Sequence, residues 1–134
     1  MTEAVADAVA LAHHLEDSLP GAAERTFREA ENGRGRIYIP EIALGELLYT
    51  ALRGRLKVPN PEWVASELID QIRGSGYLVL STLGPTGWGV FLRLRVPELH
   101  DRMIASDAIA RNLPLITNDP ELSAVPGLQT IWKR

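Results

Sequence analysis

Three acidic residues stand where exposure to solvent does not by itself account for them. Glu46 shares a helical face with Ile42, Ala43 and Tyr49, so its carboxylate is set into an apolar stripe. A lone buried carboxylate is costly and needs a partner, a hydrogen-bond network or a metal. Gly45 beside it leaves room for a close-approaching backbone or ligand. The plainer alternative is an interior Glu neutralised by Arg53 or Arg102. Asp101 precedes Ile104, Ala105 and Ala108 at i+3, i+4 and i+7 and so heads a second apolar stripe. An acid in the first turn of a helix is, however, favoured by the dipole in any protein. Asp119 follows the apolar run 113–117, where α/β proteins place ligand groups, although before Pro120 it can equally cap a short helix. Asp107 points away from the apolar stripe and can pair with Arg111 at i+4, which reads as a solvated surface residue. The pattern says least about Asp7, which on periodicity alone is one more exposed helical acid.

If Glu46, Asp101, Asp119 and Asp7 converge, their charge decides what must accompany them. Two like charges about 4 Å apart at an effective dielectric near 20 cost on the order of 4 kcal/mol, so four cannot stay ionised together without cations or protons. An all-oxygen ligand set selects hard cations, Mg²⁺ or Mn²⁺. Such sites do phosphoryl chemistry: one metal activates a water, and a second, where present, stabilises the leaving oxygen. Phosphodiester hydrolysis is the natural candidate. Other chemistries lack their motifs. Gly33-Arg34-Gly35 begins a G-x-G, but the third glycine position is Tyr38, and there is no P-loop and no G-x-S-x-G elbow. The histidines are His13, His14 and His100; none lies in H-E-x-x-H, and His13 and His14 read as helix surface.

The elements that would position the acids follow from periodicity and punctuation. Ala4, Val5, Ala8, Leu11, Ala12 and Leu15 make residues 3–18 a single helix by periodicity alone. After Pro20 and Gly21, residues 22–32 read as a charged, exposed helix with Glu24 and Arg28 at i, i+4. Residues 36–40 suit a short strand and 41–56 a largely buried helix, while Asn60-Pro61 caps another helix that runs to Gly74. Residues 77–81 are a continuous apolar strand, 83–95 carry no legible pattern, and Pro97 opens a helix reaching about Asn112. Residues 113–117 and 128–132 complete the set as strands. Strands separated by helices predict an α/β layer fold with a mostly parallel sheet, in which ligands sit at the carboxyl ends of strands.

Composition bounds the rest. With 134 residues, 46% hydrophobic and 23% charged, the chain suits one compact domain over residues 1–134. It has no cysteine, which excludes disulfide scaffolds and thiolate metal sites. Glu3 and Asp7 stand where a signal peptide would be basic, and no apolar run approaches membrane-spanning length, so a cytoplasmic protein with no membrane association is expected. Seventeen acids against fourteen bases give a net charge of −3, which argues against an unaided, sequence-blind grip on nucleic acid but not against a phosphate substrate reached through a metal.

Four stretches taken together carry a family resemblance: Asp7-Ala-Val-Ala-Leu; Ile-Pro-Glu-Ile-Ala-Leu-Gly-Glu46-Leu-Leu-Tyr; His-Asp101-Arg-Met-Ile-Ala-Ser; and Leu-Ile-Thr117-Asn-Asp119. The chain resembles the PIN-domain nucleases, and within them the small VapC-type toxins of toxin-antitoxin pairs. The resemblance covers nearly the whole chain and keeps the order and spacing of the four acids. It implies a PIN-like three-layer α/β/α sandwich with a small, mostly parallel sheet of about four or five strands. It also implies that Asp7 ends a first strand over residues 3–6, with a helix from about Ala8. Asp7, Glu46, Asp101 and Asp119 would then be the catalytic and metal-holding acids, and Thr117 a supporting hydroxyl.

Family members of this kind are Mg²⁺- or Mn²⁺-dependent endoribonucleases that typically form homodimers and are inhibited by a small VapB-like antitoxin. The present chain departs from them at Ala8, where the family usually has Ser or Thr. For RNA-phosphate or antitoxin contacts the expected residues are Arg53 and Arg55, just beyond Glu46 along its helix, and Arg102 beside Asp101. Trp63, Trp88 and Trp132 are expected in the core or a dimer interface. The competing readings are a catalytically silent PIN-like binding module, for which Ala8 speaks, and a receiver-type signalling domain. The latter needs a paired acid after its first strand and a lysine after its last; Asp7 stands alone and Lys133 lies too near the terminus.

Overall fold

The computed structural model of the chain describes residues 1–53 and 60–134. The opening segment divides at Asp7 into β1 (Thr2–Ala6) and α1 (Ala8–Leu15), so the single helix that periodicity drew over this region is two elements. Ala4, Val5 and Ala6 are all fully buried. A strand covered on both faces is apolar throughout, and a helical template fits so short a run equally well. Asp7 makes the break itself: its backbone is extended and its side chain caps α1 by accepting from the Ala10 N–H at 2.8 Å.

Helix α2 (Gly21–Glu29) carries the Glu24–Arg28 ion pair at 2.6 Å, but it is not the wholly exposed helix expected, because Ala23 and Phe27 are buried in the core. A wide turn over Ala30–Arg34, with Gly33 at φ 81°, leads into β2 (Gly35–Pro40). Gly35 has to be glycine, since a Cβ there would run into the Thr2 carbonyl of β1. Then come α3 (Glu41–Leu52), α4 (Pro61–Gly74), capped by Asn60 through the Trp63 N–H at 3.1 Å, and β3 (Leu78–Ser81). The stretch without legible pattern is α5 (Gly84–Arg93). Its glycines and Pro85 mask the periodicity, and Gly87 is buried against Leu83. Helix α6 (Leu99–Arg111) begins two residues later than Pro97 suggested, with Glu98 as its N-cap and Asn112, left-handed at φ 56°, closing it. Finally come β4 (Leu115–Ile116), α7 (Pro120–Ser123) and β5 (Thr130–Ile131).

All five strands are parallel, in the order β3-β2-β1-β4-β5. Side chains alternate between two cores. Ala4, Ala6, Ile37, Ile39 and Ile116 pack with Leu11, Phe27, Leu47 and Ile72 on one face of the sheet. Val5 and Leu115 pack with Ile104, Ala105, Ala108 and Leu122 on the other. This is the expected α/β/α sandwich, with α1, α2, α3 and α4 on the first face and α6 and α7 on the second. Among the described residues no helix is long and apolar enough to cross a membrane.

Candidate active site

The chain moves outward from β1 to β2 and β3, then returns to the other side of β1 with β4. In an open parallel sheet such a reversal leaves a crevice at the carboxyl ends of the two diverging strands. Asp7 follows β1 directly, and Thr117, Asn118 and Asp119 follow β4. Helices α3 and α6 bring Glu46 and Asp101 to the same place. The result is one cleft of about 240 Å³ lined by Asp7, Glu46, Asp101 and Asp119, with Ala8, Val9, Ile104 and Asn118 between them.

The carboxylates sense one another. Burial pushes the Asp7 carboxyl above its usual range; contacts from the Thr117 hydroxyl and the Ala10 amide pull it back, and the charge of Asp119 adds to the rise. Asp101 is pushed up to about 6, first by burial and then by Glu98, Asp119, Asp7 and Glu121. Glu46 is raised by burial, with His100 opposing and Asp101, Glu98 and Asp7 adding to it. Among the described residues none of the four acids is paired with Lys or Arg.

The neutralised-Glu46 alternative therefore fails on geometry. The Arg53 guanidinium lies over the Tyr49 ring at 5.4 Å and reaches its hydroxyl at 3.4 Å. Arg102 donates from Nε to the Phe91 carbonyl at 2.7 Å and covers that ring at 4.8 Å, so it ties α6 to the end of α5. Neither arginine lines the cleft, and Arg55 lies outside the described residues. Gly45 is exposed with open space where a Cβ would be, so no backbone approaches it.

Thr117, fully buried, accepts from the Asp119 N–H at 3.1 Å, and its hydroxyl lies near enough to Asp7 to lower that carboxyl. Asp7 and Asp119 each commit one oxygen to a helix cap, the latter to the Glu121 N–H at 2.9 Å, which leaves the second oxygen of each for a ligand. Four oxygen donors without a neutralising cation suit a hard divalent ion. Among the described residues no three acidic or histidine side chains stand close enough to close around one ion as they are.

Three neighbours escaped sequence reasoning. Glu98 caps α6 by accepting from the Asp101 N–H at 2.6 Å and holds the His100 Nδ1 at 2.8 Å. The spacing of Glu98 and Asp101, just after Pro97, is a capping-box variant that was there to be read. Asp107 is not a solvated residue: its pairing with Arg111, at 2.9 Å, is as expected, but it is buried and also accepts from the Ser81 hydroxyl at 2.8 Å. His14 is likewise not helix surface, since its ring stacks on Phe27 with 4.2 Å between centroids and bonds to the Tyr77 hydroxyl at 2.7 Å. Of the tryptophans, Trp132 packs against the core, whereas Trp63 and Trp88 are exposed.

The fold is shared with known proteins. The chain superposes on a structure described as VapBC2 from Rickettsia felis bound to a DNA fragment from their promoter, with a TM-score of 0.72, 21% identity and coverage of 97% of this chain and 98% of that one. DNA-bound VapBC from Salmonella typhimurium gives the same TM-score and identity over 98% of both chains. No curated protein sequence matches. The profile of the PIN domain matches residues 4–128. The chain belongs to the PIN domain family.

Proposed function

We propose that the chain is a divalent-metal-dependent endoribonuclease, the toxin of a type II toxin-antitoxin pair, acting in the cytoplasm. The observation that carries this reading is the set of four acids in one cleft, without a basic partner among the described residues, at the switch point of a PIN-domain sheet. Asp7, Glu46, Asp101 and Asp119 would hold Mg²⁺ or Mn²⁺. When bound, such an ion lowers the pKa of a water and offsets charge on the phosphate oxygens. The protein's own contribution is positional. Thr117 holds the Asp119 backbone beside Asp7, Glu98 fixes the first turn of α6 beneath Asp101, and the half-buried cleft strengthens every charge interaction made in it.

The toxin assignment is supported by the fold shared with the VapBC structures, and it brings a VapB-like antitoxin partner and a homodimer with it. The test is incubation with single-stranded RNA. Cleavage should require Mg²⁺ or Mn²⁺, stop on chelation and be abolished by Asp101→Asn. Activity that survives that substitution unchanged would sink the assignment.

A further inference from the structure

A second cavity lies on the same edge of the sheet. It opens at the carboxyl ends of β2 and β3, has a volume of about 340 Å³, and is lined by Ile42, Leu83, Trp88 and Met103, with Glu41 and Thr82 at its polar side. In the strand order β3-β2-β1-β4, the midpoint of β3 and β2 is two strand spacings from the midpoint of β1 and β4, about 10 Å. The two hollows also share walls. Ile42 is one turn before Glu46 on α3, and Met103 follows Asp101 by two residues on α6. A chain whose phosphate sits over the acids and that runs along the sheet edge toward β3 would place a neighbouring group over this cavity.

The chemistry of the lining selects that group. Trp88, 47% exposed, offers an aromatic face, and Ile42, Leu83 and Met103 are apolar. Among the described residues no cation lines the cavity. Arg111, which contacts the lining residue Asp107, is spent on that carboxylate and on the Tyr38 ring at 4.5 Å. A phosphate or an acidic peptide would be repelled by the exposed Glu41 carboxylate, whereas an uncharged planar ring that stacks on Trp88 and turns an amine toward that carboxylate would not.

We infer that this cavity is a nucleobase subsite of the RNA substrate, with Trp88 as its stacking platform and Glu41 favouring bases that carry an exocyclic amine over uracil. The inference rests on the nuclease reading above.

The test walks a single abasic residue along a short single-stranded RNA and measures both cleavage in Mn²⁺ and binding in Ca²⁺, a hard cation that oxygen ligands also hold. One abasic position should weaken binding at least about fivefold, the range for loss of a base-aromatic stack. Trp88→Ala should weaken the intact RNA by a similar factor and erase the penalty at that position alone, Trp88→Phe should retain most of both, and Glu41→Ala should remove the discrimination against uracil there. Matched thermal unfolding of the variants excludes misfolding. If the wild-type chain cleaves RNA but no abasic penalty depends on Trp88, or Trp88→Ala alters only the sedimentation of the protein, the subsite is overturned and the nuclease reading stands. If the wild-type chain cleaves nothing, the nuclease reading fails, and the binding series in Ca²⁺ then decides the subsite alone.

Discussion

The Thr117 hydroxyl accepts the backbone N–H of Asp119 at 3.1 Å and lies close enough to Asp7 to pull its carboxyl back toward the usual range. Asp7 closes β1 and Asp119 follows β4, so one buried side chain stands between two acids from separate strands. Thr117→Val keeps the shape and removes the hydroxyl. It should raise the Mn²⁺ concentration needed for half-maximal cleavage by about 10- to 100-fold, the usual cost of losing a group that orients metal ligands. Thr117→Ser should restore most of it. A metal titration of RNA cleavage checks both.

Burial of the cleft carboxyls, with repulsion added to it, predicts an inverted pH dependence for the metal-free protein. Asp101, raised to about 6 from 3.8, binds a proton more readily folded than unfolded, so its contribution to stability is lost as pH rises through that interval and regained as pH falls. Asp7 and Glu46 act in the same direction. His14, lowered by burial, acts oppositely: its contribution is lost as pH falls below 6.5. Asp101→Asn isolates the cleft. It should raise the Tm of metal-free protein at pH 7.5 by about 3 °C, corresponding to roughly 1 kcal/mol in a domain of this size, with the gain vanishing near pH 4. Thermal unfolding in EDTA across pH reads this out.

The buried Asp107 ties α6 to the end of β3 through Ser81. Asp107→Ala strands the Ser81 hydroxyl and the Arg111 guanidinium and should cost about 3 kcal/mol. Asp107→Asn, which can still accept from Ser81, should cost less than half of that. Urea unfolding at neutral pH measures both.

Ala8 lines the cleft beside Asp7 without a hydroxyl. Ala8→Ser supplies one at the first residue of α1, and a single added hydrogen bond of about 1 kcal/mol corresponds to about a fivefold gain in kcat/KM. Steady-state cleavage of one RNA by the two proteins is the comparison.

How far the sequence could be read depended on what each segment buries. Residues with one clear signal were legible: Asn60-Pro61 as a cap, the Glu24–Arg28 pair, Glu46 set into one apolar stripe and Asp101 at the head of another. Those serving two demands were not. Ala4, Val5 and Ala6 are apolar because both faces of β1 are covered, which erases the period that separates strand from helix. In α5 the glycines hid the helix. Asp107 and His14 carry polar labels that imply exposure, yet each is held inside by partners 26 and 63 residues away in sequence, contacts that no local pattern encodes. Asp7 became legible only through the family pattern, because its role as strand end, helix cap and site acid depends on where β4 arrives.

The most direct test of the account is a calorimetric titration of Mn²⁺ into the chelated protein at pH 6, where Asp101 is about half protonated. The account predicts saturable binding at submillimolar metal with proton release, revealed by a heat that changes with buffer ionisation enthalpy, and at least tenfold weaker binding by Asp101→Asn. Absence of any binding heat at millimolar Mn²⁺, or equal binding by wild type and Asp101→Asn, would contradict it.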